Sequence, residues 1–165
     1  MSRVAVLSVA AFVASIVAAN WMTSTFGLVP IGFGLLVTAG TFAAGAALVL
    51  RDAVQQTAGK RTVIAAIAVG IVLSYLLADP FIAIASTVAF AVSEIVDFAV
   101  YTRLRVRSIA LAVLCSSVIS APVDTVLFLR IAGFEVTWQA VIGQFIVKTA
   151  IAGCVAIWLA RRRSR

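Results

Sequence analysis

Hydrophobic residues run along this chain in long blocks, broken by short polar or charged clusters. From Val4 to Leu50 no residue carries a charge, a run of 47. As one helix that run would be about 70 Å long at 1.5 Å per residue, against a hydrocarbon core about 30 Å thick. It is therefore read as two crossings with a turn between them. The turn falls on Asn20-Trp21-Met22-Thr23-Ser24-Thr25-Phe26-Gly27, followed by Pro30. There polar residues, Gly and Pro interrupt the run, and Trp21 suits a membrane interface. The same reading predicts helices at 4–20, 29–50, 62–78, 80–102, 107–131 and 138–160. Asp79-Pro80 makes the third connection very short, and Gly133-Phe134 opens the fifth. The pattern predicts an all-α integral membrane protein: one domain over 1–165, a compact bundle of six transmembrane helices.

Composition supports lipid as the solvent. Hydrophobic residues make up 64% of the chain and charged residues 12%, where a soluble domain would be near half apolar and a quarter charged. The net charge of +7 would suit nucleic acid if it were spread over a surface. Instead, 11 of the 13 basic residues flank the apolar blocks: Arg3; Arg51, Lys60 and Arg61; Arg103, Arg105 and Arg107; Arg161, Arg162, Arg163 and Arg165. With six crossings these clusters fall on one face, which places both termini in the cytoplasm. Contact with the lipid bilayer and its anionic headgroups is expected, and nucleic acid is not. A cleaved signal peptide over 4–19 is a rival reading, since Arg3 and the apolar run permit it. The segment flows into Asn20-Trp21 without a small-x-small cleavage site, which argues against it.

Several chemistries are excluded. There is no histidine, so a His-ligated metal or a His general base is ruled out. Cys115 and Cys154 sit in apolar helices at a spacing that matches no metal motif, and they read as small core residues. Gly59-Lys60-Arg61-Thr62 lacks the upstream Gly and the Ser/Thr directly after Lys that a phosphate loop needs. No nucleophile-elbow, zinc-helix or Cys-x-x-Cys motif occurs. An intramembrane aspartyl enzyme built on Asp97 and Asp124 finds no support in their flanking residues. Neither a cofactor nor an enzyme activity is expected.

Polar residues inside the spans carry the most information, because a charge in lipid is costly and usually functional. In the fourth predicted helix, Ser86, Phe90, Glu94, Asp97 and Tyr101 share one face. Counting inward from Arg103, Glu94 lies about 13 Å deep and Asp97 about 9 Å deep. In the fifth, Ser117, Ser120 and Asp124 share a face, and Pro122 predicts a local kink that frees the Val118 carbonyl. In the sixth, Gln144 and Lys148 are one turn apart, and a mid-helix ammonium needs a carboxylate from Glu94, Asp97 or Asp124. Simple ion pairs that lock helices together are one reading. The carboxylates outnumber the cation, however, so a polar ligand cavity among these three helices is preferred. The small residues of the second predicted helix, from Gly32 to Ala47, read as a close-packing face that permits a homodimer.

Three stretches together resemble a known family. They are Leu50-Arg51-Asp52 with Gly59-Lys60-Arg61; Ala89-Phe90-Ala91-Val92-Ser93-Glu94-Ile95-Val96-Asp97 with Tyr101; and Arg107-Ser108 through Ser120 to Asp124-Thr125-Val126-Leu127-Phe128. Their order is similar to that of the VUT family, the queuosine precursor transporters. Gln55 and Gln56 stand where family members usually carry an acidic residue. The resemblance implies uptake of a 7-deazaguanine, the 7-cyano or 7-aminomethyl compound, and kinship with six-helix vitamin-binding membrane subunits. A carboxylate from Glu94, Asp97 or Asp124 could accept the adjacent N–H and NH₂ of a guanine-like edge. Asn20, Gln144 and serines such as Ser120 could meet the carbonyl and ring nitrogens, Phe90 or Phe128 could stack on the ring, and Lys148 would complete the site. Two other readings are a substrate-binding subunit that needs a separate ATPase partner, and a structural membrane protein with no ligand.

Overall fold

The computed structural model describes residues 2–104 and 106–163, without the side chains of 52, 109, 110, 113, 152 and 155–163. Arg105 and Arg165, and the side-chain roles expected of Asp52, Arg161, Arg162 and Arg163, therefore lie outside the described residues. In chain order the elements are α1 (Arg3–Phe26), β1 (Leu28–Gly32), β2 (Leu35–Thr38), α2 (Thr41–Ala58), α3 (Lys60–Leu77), α4 (Pro80–Leu104), α5 (Ile109–Ile131) and α6 (Trp138–Arg163). By length and composition, Arg3–Phe26, Lys60–Leu77, Pro80–Leu104 and Leu114–Ile131 are apolar enough to cross a membrane, among the described residues.

The largest departure from the sequence reading lies in the first uncharged run. The predicted turn at 20–27 is helical, and α1 continues to Phe26. The Ser24 and Thr25 hydroxyls donate to the Asn20 and Trp21 carbonyls at 2.8 Å each. Hydroxyls that bond one turn back are satisfied inside a helix and need not end it. Gly27 ends it instead, with φ 60 and its N–H on the Thr23 carbonyl.

The predicted helix 29–50 is likewise replaced by a two-stranded sheet and then α2. Pro30 has no N–H and disfavours helical backbone at Val29. Gly32, Phe33 and Gly34 all have positive φ, at 95, 54 and 72, so the chain reverses where a helix could not continue. Positive φ at both Phe33 and Gly34 matches the type I′ turn that suits a two-residue hairpin. Short apolar strands cannot be told from helix by hydropathy alone.

The third departure is the predicted 51–61 connection. It is helix on both sides of a single residue, Gly59, whose φ is 83. The remaining boundaries fall within about three residues of expectation. Asp79 starts α4 by accepting the Phe81 and Ile82 amides on Oδ1 at 2.8 and 3.1 Å, with Pro80 in the first turn. Thr137 opens α6 by accepting from the Ala140 amide at 3.3 Å. Helix α5 runs through Pro122 without a break.

The chain forms two compact units, Met1–Val29 with Thr38–Ile84, and Pro30–Val37 with Ala85–Arg165. In the first, α1 packs on α2 and α3 around Phe12, Ala47, Val54, Val63 and Ala66. Gly40 sits so close to α1 that a Cβ there would overlap the Ala19 carbonyl oxygen. Its N–H donates to Thr23 Oγ1 at 3.1 Å, and Asn20 Nδ2 donates to Ser74 Oγ at 2.9 Å. Thr38 and Thr41 share a hydroxyl bond of 2.9 Å. In the second unit α5 packs on α6.

Candidate functional site

The second unit concentrates polar groups on α4, α5 and α6. On α4 the buried stripe is Ala85, Ala89 and Ser93, a four-residue repeat that keeps one face of the helix inward. The expected face through Ser86, Phe90, Glu94, Asp97 and Tyr101 lies beside it, and all five are half-buried. On α5 the buried residues include Ser116, Ala121, Thr125, Phe128 and Leu129. On α6 they include Ala140, Gln144 and Lys148.

Of the three carboxylates that could meet Lys148, Asp124 does so. Lys148 Nζ lies 2.5 Å from Asp124 Oδ2 and 3.0 Å from Thr125 Oγ1. The Lys148 side chain is 8% exposed and that of Asp124 26%. Ser93 Oγ reaches the other Asp124 oxygen at 3.4 Å while also donating to the Phe90 carbonyl at 3.0 Å. One hydroxyl proton cannot serve both acceptors at full strength, and the shorter contact takes the larger share. A long bond from Ser120 Oγ to Asp97 Oδ1, at 3.5 Å, is a second link between α4 and α5.

Gln144 differs from its neighbours. It is 1% exposed, yet its Nε2 has no hydrogen-bond partner among the described residues. A buried amide donor without an acceptor costs free energy, on the order of 1–3 kcal/mol. It lies one turn before Lys148, on the same face of α6. Thr149 Oγ1 is also buried and without a partner there, but it points about 140° around the helix from Gln144.

The expected site residues thus divide. Asp124 and Lys148 are joined to each other and, through Ser93, to the Phe90 carbonyl; Asp97 and Ser120 form a separate pair, and Gln144 lies one turn from Lys148. Asn20 belongs to the first unit, where its amide is engaged by Ser74. Phe128 is buried with its ring centroid 6.3 Å from that of Phe134. Ser93 and Thr125 stand in the family-like stretches, but sequence reasoning gave neither a role in the site. The Ala85, Ala89, Ser93 repeat was the available signal for the first, and adjacency to Asp124 for the second.

Residues 74–161 match the family described as "Putative vitamin uptake transporter". No curated protein and no solved structure matches the chain. The matched span is just over half of the sequence and holds α4, α5 and most of α6, with every residue of the Ser93, Asp97, Ser120, Asp124, Thr125, Gln144 and Lys148 cluster. Apolar helices of membrane-spanning length and this match lead to one statement of kinship: the chain belongs to the family of vitamin uptake transporters.

Proposed function

We propose that this protein imports a 7-deazaguanine precursor of queuosine across the cytoplasmic membrane, binding the base among α4, α5 and α6. The observation that carries this reading is the buried Gln144 amide, which holds an unused donor one turn from the Lys148–Asp124 pair. The carboxylates assigned to the N–H and NH₂ of the base are Asp97 and Glu94, which share a face of α4. Gln144 Nε2 donates to the ring carbonyl, and Phe90 stacks on the ring. Ser120 tunes Asp97 through its 3.5 Å contact. Asn20 has no part in this reading, since its Nδ2 is engaged by Ser74. The charge pattern supports six crossings with both termini in the cytoplasm.

The test is the unfolding temperature of purified protein titrated with 7-cyano-7-deazaguanine, its aminomethyl analogue, guanine and biotin. A ligand that binds only the folded state raises apparent stability by mass action. A shift selective for a deazapurine, and lost in Asp97→Asn, is the expected result. No shift with any of the four in well-folded protein would refute the substrate. Uptake by liposomes holding this protein alone then separates a complete transporter from a subunit that needs an ATPase partner.

A further inference from the structure

The hairpin is the part of the second unit that the proposed function leaves unused. Pro30–Val37 clusters with α4, α5 and α6, and its tip and its strands behave differently. Phe33 at the tip is 100% exposed, whereas Val37 is 0% exposed. The packed part is therefore the second strand. It meets α6 at Gly143: a Cβ there would overlap the Leu36 carbonyl oxygen and lie 3.0 Å from its carbonyl carbon and 3.3 Å from its amide nitrogen. Only a residue without a side chain permits this approach of backbone to backbone.

Two facts fall on adjacent residues of α6. The hairpin backbone rests on residue 143, and residue 144 is the buried amide without a partner among the described residues, one turn before the Lys148 held by Asp124 and Thr125. A two-stranded sheet also leaves the outer edge of each strand without strand partners. In a membrane chain such groups must face protein or a polar cavity. The close approach at Gly143 puts protein against β2 beside the Gln144 amide.

We infer that β2, seated on Gly143, is a wall of the ligand site beside Gln144, and that Gly143 is a specificity-determining position. The inference rests on the proposed function and deepens it. If Gln144 Nε2 donates to the ring carbonyl of a deazaguanine, the substituent on ring carbon 7 lies on the same side of the base as that carbonyl. The wall nearest Gln144 then senses the size of that substituent. Small groups such as nitrile or aminomethyl fit between the base and the strand, and the Gly143 seat sets the gap. A methyl group at position 143 pushes β2 and changes the gap, leaving the carboxylate contacts on the far edge of the base in place.

The experiment compares wild type and Gly143→Ala for affinity towards unsubstituted 7-deazaguanine, the 7-cyano and the 7-aminomethyl compounds. Unfolding temperatures of the ligand-free proteins are recorded alongside. A second arm places Leu36→Cys, or Phe33→Cys as a control, in a background with Cys115 and Cys154 changed to serine, and follows maleimide labelling. Gly143→Ala is expected to alter the ratio of substituted to unsubstituted affinity by about tenfold, the scale of a one-carbon change in a pocket. It is also expected to speed labelling at position 36 and leave position 33 unchanged. Equal changes for all three compounds, or unchanged labelling at 36, overturn the inference. Should Gly143→Ala fail to fold, Val37→Ala loosens the same strand from the other side of the contact and must shift the same ratio. If wild type binds none of the three, the substrate reading itself falls. Wild-type binding with an unshifted ratio sinks the inference about the hairpin alone.

Discussion

Buried polar residues in the α1–α3 unit include Asn20, Thr23, Thr38, Thr41 and Ser74, all uncharged and all hydrogen-bonded to one another or to backbone. In the α4–α6 unit they include Ser93, Ser116, Thr125, Gln144 and Lys148, with a formal charge among them and one amide nitrogen without a partner among the described residues. The first set behaves as a lock: neutral groups, short bonds, and a glycine that lets backbones meet. The second set bears costs that a lock does not need. A buried ion pair can often be replaced by apolar residues without loss of stability. An unsatisfied donor is a further cost. Groups that weaken a fold and sit together are candidates for binding something.

The comparison can be broken most forcefully at the ion pair. Asp124→Asn removes the carboxylate that meets the Lys148 ammonium, whose side chain is only 8% exposed. A loss of about 3 kcal/mol is expected, the low end for a broken buried pair, because Asp124 keeps part of its side chain exposed. Adding Lys148→Gln should recover most of that loss. Denaturant unfolding in detergent measures both, and a double variant no better than the single one would argue against charge as the cause. In the other unit Gly40→Ala must move α1 away from the Ala19 carbonyl, at a cost of about 2 kcal/mol, typical of overpacking. Ser74→Ala removes the acceptor for Asn20 Nδ2 and should cost about 1 kcal/mol, with the ligand-induced shift in unfolding temperature retained. Asp97→Asn is at the bottom of the stability scale, since its hydrogen bond from Ser120 is long at 3.5 Å. Unfolding of that variant should match wild type within about 0.5 kcal/mol, while ligand binding is lost.

Which parts of this were legible in the sequence follows from how polar groups are satisfied. Helices α3 to α6 were read to within a few residues, because Asp79-Pro80 and Gly133 are strong local punctuation. The first uncharged run misled the reading. Hydropathy cannot distinguish the strands Leu28–Gly32 and Leu35–Thr38 from helix, although Pro30 and Gly32-Phe33-Gly34 did mark a reversal. Ser24 and Thr25 looked like a turn only because their bonds to carbonyls one turn back are invisible in composition. At the site, the partner of Lys148 was limited to three carboxylates by charge. The choice of Asp124 needed the packing of α5 on α6. The bond of Asn20 to Ser74, 54 positions away, has no signature along the chain.

The most direct test of the α4–α6 polar cluster as a binding site is Gln144→Leu, followed by unfolding temperature with and without 7-cyano-7-deazaguanine. Replacing an unsatisfied buried amide by an apolar group of similar size removes a cost and breaks no bond seen among the described residues. The account predicts a ligand-free unfolding temperature equal to or above that of wild type, together with loss of the ligand-induced rise. A fall in the ligand-free temperature with the ligand-induced rise intact would contradict it, and would make Gln144 part of the scaffold.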